Sequence, residues 1–219
     1  MSKSNTQLQE DVLAELKFEP SIDAAEIGVT ANDGIVGLRG KVKSFAEKYG
    51  AVRAAERVKD VKAVTDELEV DLPAYHIRDD EDIARAAIRA LEWDVWVPSK
   101  KIKVKVSDGW VTLEGSVDYW YEQNAAVEAV RNLTGVKGVT NMISIKKPAV
   151  IPSEVKANID SALRRAAEID ADRVTVKVVN DKVILNGKVS SWAERQEAER
   201  AAWSAAGVNE VEDDLVVAT

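Results

Sequence analysis

Apolar and polar residues alternate along three segments of this chain, and each segment carries a glycine in the frame Gly-x-Val-x-[Ser/Tyr]-aromatic. The glycines are Gly40, Gly115 and Gly187, so the spacings between them are 75 and 72 residues. A period of this length indicates three copies of one structural unit. The alternation predicts a β-strand around each glycine, with one apolar face and one face exposed to solvent.

Each copy has the same order of predicted elements. A helix with apolar residues at three- and four-residue spacing comes first. A strand follows and ends at hairpin-turn residues, which are Asn32-Asp33-Gly34, Ser107-Asp108-Gly109 or Asn180-Asp181. After the glycine strand come a second helix and a last strand of the form Val-x-x-Val-x-[Asp/Asn]-x-[Leu/Ile]. This order predicts an α+β fold of three tandem αββαβ two-layer sandwiches, each with two helices on one face of a three-stranded mixed sheet.

The pattern places repeat 1 at residues 6–73, repeat 2 at residues 79–148 and repeat 3 at residues 152–219. Short linkers are expected at residues 71–78 and 146–153. Each repeat is close to the lower size limit for a domain with its own core, so neighbouring repeats are expected to pack together. The repeated glycines are interpreted as strand positions where a side chain would obstruct the packing helices. Capping boxes at the helix starts are predicted at Thr6 with Gln9, Ser44 with Glu47 and Ser191 with Glu194.

The composition excludes several classes of function. The chain has a formal net charge of −8, no cysteine and a single histidine, His76. Disulfides, thiolate metal sites and clustered-histidine zinc sites are therefore excluded. The sequence contains no nucleophile–base pair and no phosphate-binding glycine loop, so no enzyme activity, metal or cofactor is predicted.

The predicted location follows from hydropathy. Charged residues interrupt every apolar run, so no transmembrane segment is expected, and the first ten residues lack a signal-peptide core. A cytoplasmic protein is the expectation from the chain as written, or a periplasmic one if a signal peptide was removed ahead of Met1.

Charge is spread unevenly over the repeats. Repeat 2 has 10 basic and 11 acidic side chains, a net charge of −1, whereas repeats 1 and 3 have net charges of about −5 and −4 by the same count. The acidic balance argues against nucleic acid as a partner. Repeat 2 is therefore the part of the chain least repelled by an anionic surface.

Two segments of repeat 2 resemble the BON domain, a bacterial family named for osmotically inducible and nodulation proteins. They are Ser-Asp-Gly-Trp-Val-Thr-Leu-Glu-Gly-Ser-Val at residues 107–117 and Gly-Val-Lys-Gly-Val-Thr-Asn-Met-Ile at residues 135–143. With the two sister copies, the resemblance covers nearly the whole chain. It implies an α/β fold without known catalytic residues, and roles in envelope or osmotic stress through contact with phospholipid or with other proteins.

The first strand of repeat 2 predicts a basic sheet face. Lys101, Lys103 and Lys105 alternate with apolar residues, so the three lysines are expected to share one face. Trp110 lies on the face opposite Val111, and the hairpin register is expected to bring it beside the lysines. An aromatic ring among cations suits an anionic headgroup, an acidic protein surface or a nucleic-acid strand. The alternative is that Trp110 shields the lysine stems or packs against a neighbouring repeat.

Further aromatic residues distinguish repeat 2 from its sister copies. Trp93 aligns with Phe18 and is expected in the core, whereas Trp96 lies in a loop near Lys100 and is expected to be exposed, as at a peripheral membrane contact. Tyr119 replaces the capping serine of the other repeats, so its helix is expected to use Asp118 as a cap or to have none. Tyr119 is interpreted either as a recognition residue or as packing between repeats.

Trp203 in repeat 3 aligns with Glu56 and Arg131, which are charged. It is expected either at a contact between repeats or subunits, or at an exposed partner site. The oligomeric state is left open.

These patterns predict a non-enzymatic, stress-related binding protein that contacts an anionic phospholipid surface or an envelope component mainly through repeat 2. The alternative is a protein-binding scaffold or holdase-type chaperone in the cytoplasm. The candidate lipid- or partner-binding residues are Trp96, Lys100, Lys101, Lys103, Lys105, Trp110, Tyr119 and Trp203.

Overall fold

A computed structural model describes residues 3–146, 152–166, 169–179, 182–205, 208 and 210–218. The order helix, strand, strand, helix, strand occurs three times, as predicted. Repeat 1 has α1 (Asn5–Phe18), β1 (Ile27–Asn32), β2 (Ile35–Val42), α2 (Phe45–Arg57) and β3 (Ala63–Val70). Repeat 2 has α3 (Asp80–Trp93), β4 (Ile102–Ser107), β5 (Trp110–Val117), α4 (Trp120–Arg131) and β6 (Gly138–Ile145). Repeat 3 has α5 (Pro152–Arg165), β7 (Val174–Val179), β8 (Lys182–Val189), α6 (Trp192–Ser204) and β9 (Glu210–Val217).

Each repeat forms its own three-stranded mixed sheet with the strands in chain order. In repeat 2, β4 and β5 are antiparallel and β5 and β6 are parallel, with Val104 opposite Leu113 and Leu113 opposite Asn141. The hairpin between β4 and β5 is tight because Asp108 and Gly109 both have positive φ, 54° and 81°. The corresponding turn of repeat 3, at Asn180-Asp181, and most of the second predicted linker lie outside the described residues.

The core of each sandwich lies between the sheet and its two helices. In repeat 2, Val111 and Leu113 of the central strand are fully buried beneath Ile83 of α3 and Val130 of α4. Burying a side chain of this kind contributes about 1.5–3 kcal/mol. The opposite face of the sheet carries the polar half of the alternation, so the predicted one-sided packing is confirmed.

The repeated glycines are required by the backbone. Gly40, Gly115 and Gly187 have φ values of 127°, 143° and 138°, which side-chain-bearing residues rarely adopt. A Cβ at Gly115 would lie 2.1 Å from the carbonyl oxygen of Lys101, and one at Gly187 would lie 2.0 Å from that of Arg173. At Gly115 and Gly187 the interpretation that the glycine makes room for helices is therefore wrong, because the glycine makes room for the backbone that leads into the first strand of the repeat.

Serine and glutamate cap the second helix of repeat 1 and of repeat 3, as predicted. The N–H of Glu47 donates to Ser44 Oγ and that of Glu194 donates to Ser191 Oγ, both at 3.1 Å. For α1 the prediction at Thr6 is wrong, because the helix begins earlier and Ser4 Oγ accepts from the N–H of Gln7 at 3.2 Å.

The start of α4 keeps the glutamate half of the cap. The Glu122 carboxylate accepts from the backbone N–H groups of Asp118 at 2.8 Å and Tyr119 at 3.1 Å. The expectation that Asp118 or nothing caps this helix is therefore wrong. Glu122 takes the place that Glu47 and Glu194 have in the sister repeats, and this shared position was missed in the sequence.

Glu194 is the most buried of these glutamates and gives a test of the cap. Its carboxylate accepts from Ser190 N–H at 2.6 Å, Ser190 Oγ at 2.8 Å and Asp170 N–H at 2.9 Å. Burial raises the pKa of Glu194, but the hydrogen bonds from Ser190 and Asp170 outweigh burial and hold the pKa below its usual value. The stabilisation is therefore present above the unfolded-state pKa and lost as the pH falls through the folded-state pKa.

Glu194→Gln is expected to lower the free energy of unfolding by about 1–3 kcal/mol at neutral pH. The reason is that the glutamine side chain would place its NH2 group, a donor, against backbone N–H groups that need an acceptor. The loss should shrink as the pH is lowered. Urea unfolding over a pH series measures it, with the exposed Glu154 changed to Gln as the control. An equal effect of both changes would contradict the assigned role.

The chain divides into two compact units. The described residues within Met1–Arg39, Ala51–Glu67 and Lys147–Thr219 form one, and Gly40–Gly50 with Leu68–Lys146 form the other. In the first unit Gln196 of α6 donates to Glu56 of α2 at 3.1 Å. In the second, the Arg131 guanidinium of α4 lies 3.9 Å from the Tyr49 ring centre. Repeat 1 thus contacts repeat 3 in one unit and repeat 2 in the other.

Candidate functional site

Repeat 2 exposes a group of large apolar side chains where α3 ends and α4 begins. Trp93 is the last residue of α3, and Val95 and Trp96 lie in the loop that follows; their exposed fractions are 88%, 88% and 63%. Tyr119 and Tyr121, at the start of α4, are about half exposed. These five residues are called the aromatic end.

Three rings of the aromatic end contact one another. Trp96 and Tyr121 meet edge to face, with ring centres 5.7 Å apart and planes at 88°. Tyr121 and Tyr119 stack at 5.5 Å with an angle of 18°. Pairs of this kind contribute about 0.5–1.5 kcal/mol beyond the area that they bury. The loop and the helix start are therefore held together as one preformed surface.

The loop conformation explains why Trp96 points outward. Asp94 Oδ1 accepts from the N–H of Trp96 at 2.8 Å, and the N–H of Val97 donates to the Asp94 carbonyl at 3.1 Å. This turn directs Val97 into the core, where it is 8% exposed. Since Val97 takes the inward position, its neighbour Trp96 faces solvent, as expected from the sequence.

Trp93 corrects the expectation that it belongs to the core. It is 88% exposed, and Phe18, at the same position of repeat 1, is 81% exposed. The reason is that α3 ends at Trp93, while the core at this end of repeat 2 is filled by Leu91 and Val97. The aromatic end is larger than the sequence indicated.

Charged side chains of both signs surround the aromatic end. Lys101 Nζ lies 2.5 Å from Asp118 Oδ2, and this hydrogen bond raises the pKa of Lys101. Lys100 is exposed. Desolvation, and then the neighbouring Glu122 carboxylate, raise the pKa of Tyr121, so its hydroxyl stays neutral at physiological pH. The aromatic end thus has a polar rim of both signs around neutral rings.

Only two of the three predicted lysines lie on the open sheet face. Lys103 is opposite Glu114 and Lys105 is opposite Thr112. Lys101 lies in the single 3-10 turn Ser99–Lys101 before β4, and is paired with Asp118. Placing Lys101 on this face was therefore wrong, because the alternating pattern begins one residue before the strand does.

Trp110 leans away from the lysines. Its position on β5 is opposite Gly138 of β6, and a Cβ on Gly138 would lie 2.5 Å from the indole ring. The indole Nε1 donates to Thr140 Oγ1 at 2.7 Å. Because glycine leaves room on β6, the ring covers that strand, which lies on the side of β5 away from β4 and its lysines.

Met142 is an exposed residue of the same face that the sequence interpretation missed. It is 61% exposed and lies opposite Glu114. Val139, Asn141 and Ile143 alternate on the side of β6 that faces the helices, so Met142 lies on the opposite side. This alternation is the feature of the sequence that indicates an exposed Met142.

The two remaining candidates lie in different surroundings. Tyr119 stacks on Tyr121 within repeat 2. Trp203 is partly buried against the core of its own repeat, and its Nε1 donates to Glu199 Oε1 at 3.4 Å. Within the described part of the chain, no helix has the length and apolar character needed to cross a bilayer.

Comparison with known proteins identifies the family. The family model of the BON domain matches residues 4–71, 79–147 and 153–219. The chain belongs to the BON domain family. This confirms the resemblance seen in the sequence. Osmotically-inducible protein Y of Escherichia coli (strain K12) is 31% identical over 140 residues, which cover 62% of this chain and 69% of that protein.

Two solved structures of CdsD, a structural protein of the type III secretion system of Chlamydia trachomatis, were also matched. One is 18% identical, with coverage of 94% of this BON chain and 90% of the other, and a TM-score of 0.27. The second, of the C-terminal domain, is 16% identical, with coverage of 99% and 100% and a TM-score of 0.29. Scores this low add nothing to the description of the fold.

Proposed function

We propose that this BON-domain protein is a non-enzymatic, stress-related protein that binds phospholipid membrane surfaces through the aromatic end of repeat 2. The observation that carries the proposal is the exposure of Trp93, Val95 and Trp96 within four consecutive residues, at 88%, 88% and 63%. Contiguous exposed apolar side chains rimmed by polar groups are typical of protein or membrane contacts. The proposal assigns membrane contact to residues 79–148, with residues 6–73 and 152–219 as flanking repeats.

The chemistry of the aromatic end suits the interfacial region of a bilayer. Tryptophan and tyrosine rings prefer the headgroup level, where the apolar ring leaves water while the N–H or O–H stays hydrated. Apolar burial contributes about 25 cal/mol for each Å² removed from water. Because the rings are preformed, little ordering is needed on binding.

Charge plays the smaller part in this proposal. The exposed Lys100 can contribute about 1 kcal/mol of attraction to an anionic leaflet. Asp94 and Asp118 lie beside the same surface and oppose part of that attraction. Binding is therefore expected to depend little on the charge of the vesicle and to weaken only moderately with added salt.

The name of the similar Escherichia coli protein, which describes induction by osmotic conditions, supports the stress-related part of the proposal. A contact with the bilayer surface would connect such a response to the membrane.

Co-sedimentation with vesicles tests the proposal. The purified chain is expected to pellet with vesicles of phosphatidylcholine and phosphatidylglycerol at low salt, and to remain largely bound at physiological salt because apolar insertion dominates. Vesicles of phosphatidylcholine alone should bind it nearly as well, because apolar insertion dominates. Failure to pellet with the phosphatidylglycerol vesicles at low salt would refute lipid recognition.

A protein-binding scaffold or holdase-type chaperone is the second candidate function. The observation that favours it is the sheet face of repeat 2, where Met142 is 61% and Trp110 50% exposed. Flexible methionines at a surface adapt to varied apolar segments. Suppression of the aggregation of an unfolded client would distinguish this function from lipid binding. A Met142→Ser change should then reduce suppression and leave vesicle binding unaffected.

A further inference from the structure

The last strand of each repeat lies at an edge of its sheet, and these three strands differ in charge. β3 contains Asp66, Glu67 and Glu69, and β9 contains Glu210, Glu212, Asp213 and Asp214. β6, with the sequence Gly-Val-Thr-Asn-Met-Ile-Ser-Ile, contains no charged residue and no proline. Proteins commonly protect exposed edges with charges, because an unprotected edge pairs with another strand. β6 lacks that protection.

The edge of β6 is covered instead by two neutral amides. Asn141 Oδ1 accepts from the N–H of Ile143 at 3.0 Å, and Gln123 Nε2 donates to the Ile143 carbonyl at 2.5 Å. The same positions carry ions in the sister repeats. In repeat 1 the Lys48 ammonium donates to the Leu68 carbonyl at 2.5 Å. In repeat 3, Arg195 pairs with Asp213 at 2.7 Å, and Asp213 Oδ1 accepts from the N–H of Leu215 at 3.0 Å.

The difference decides which edge can accept a strand. An incoming strand at β3 or β9 must displace a charged side chain from its hydrogen bonds and must lie against a row of carboxylates. At β6 it exchanges an amide hydrogen bond for another of the same kind, which is close to neutral in free energy. Within the described residues β6 pairs only with β5, so its other edge bonds to no strand.

We propose that β6 pairs antiparallel with β6 of a second copy of this chain and forms a continuous six-stranded sheet. A second copy is the favoured occupant because two uncharged strands have no like-charge repulsion, and because one two-fold contact closes both edges at once. This self-association surface is separate from the membrane contact proposed for the aromatic end.

The hydrogen bonds determine the register of the pair. Ile143 turns its N–H and carbonyl away from β5, so alternate residues, including Asn141 and Ile145, also face the open edge. When two β6 strands related by a two-fold axis pair along most of their length, Asn141 lies opposite Ile143 of the second copy. Met142 then lies opposite Met142. The exposed Met142 side chains, each 61% accessible, contact each other across the axis.

Disulfide trapping tests this register directly. The chain has no cysteine, so Met142→Cys introduces a single thiol. Opposed residues of a non-hydrogen-bonded antiparallel pair have Cα atoms about 4.5 Å apart, within the range of a disulfide. Mild oxidation is expected to convert Met142→Cys to a covalent dimer. Glu67→Cys and Asp214→Cys, at the equivalent positions of β3 and β9, are the matched controls and should stay monomeric.

A second variant tests the neutral amides. Gln123→Lys with Asn141→Asp installs in repeat 2 the lysine and aspartate that repeat 1 has at these positions. Sedimentation equilibrium should show a dimer for the unaltered chain and dimerisation weakened by about tenfold or more in the double variant, with an unchanged circular dichroism spectrum. The same variant should still bind phosphatidylglycerol vesicles if the aromatic end binds them.

Several results would overturn the proposal. These are a chain that stays monomeric at all concentrations, cross-linking of Met142→Cys no faster than the two controls, and a dimer that persists unweakened in the double variant. A monomeric chain that instead captures unrelated extended peptides along β6 would also overturn the assignment of a second copy as the occupant.

Discussion

Alanine in place of Gly115 is expected to lower the free energy of unfolding of repeat 2 by about 3 kcal/mol or more. The reason is twofold: φ at this position is 143°, and the new Cβ would lie 2.1 Å from the carbonyl oxygen of Lys101. Relief requires a shift of the turn that precedes β4, so the loop that carries Trp96 should also move.

Urea unfolding monitored by tryptophan fluorescence measures this effect, since four of the six tryptophans lie in repeat 2. Gly28→Ala is the matched control. Gly28 lies in a strand of repeat 1, and a Cβ there would meet only the Arg39 carbonyl, at an ordinary 3.6 Å. This control should change stability by about 1 kcal/mol or less. Equal midpoints for Gly115→Ala, Gly28→Ala and the unaltered chain would contradict the explanation of the repeated glycine.

Replacing Trp93 and Trp96 together by serine is expected to weaken vesicle binding by about tenfold or more, since two interfacial indoles contribute more than about 1.4 kcal/mol. Both side chains are exposed, at 88% and 63%, so the fold should be unaffected. Co-sedimentation with phosphatidylglycerol vesicles measures the change, and circular dichroism verifies the fold.

Phe18→Ser provides the control for that variant. Phe18 is 81% exposed and holds the same place in repeat 1 as Trp93 in repeat 2, but the positions of Trp96, Tyr119 and Tyr121 are Ser21, Ser44 and Ala46 in repeat 1. Vesicle binding should change little on this substitution. An equal loss from Phe18→Ser, or unchanged binding by the double variant, would show that the aromatic end is not the contact.

The order of elements could be predicted from the sequence because three copies constrain one another. A residue that alternates inward in all three, such as Leu38, Leu113 and Leu185, is buried in all three. The mixed sheet and the one-sided helices follow from that pattern. Comparison of the three copies therefore predicts more of the fold than any single segment would.

The composition of the candidate site could be predicted only in part. Trp96 was expected to be exposed, but Trp93 was not, because residue type favours the core and the end of α3 decides otherwise. The contact of Trp96 with Tyr121 joins residues 25 positions apart and depends on tertiary packing. The direction of Trp110 depends on the absence of a side chain at Gly138 of β6. The periodicity of the sequence alone does not give the register of β6 against β5.

The central claim is that the aromatic end enters the membrane surface, and a depth measurement tests it most directly. Because the chain has no cysteine, Val95→Cys and Lys137→Cys can each carry one nitroxide. Val95 lies in the aromatic end, and Lys137 bonds the hairpin turn at the other end of β5. With vesicle-bound protein, the label at position 95 should lie about 5–10 Å inside the headgroup boundary, shielded from aqueous relaxants and accessible to oxygen. The label at position 137 should remain in water. Equal exposure of both labels to water in the bound protein would contradict the account.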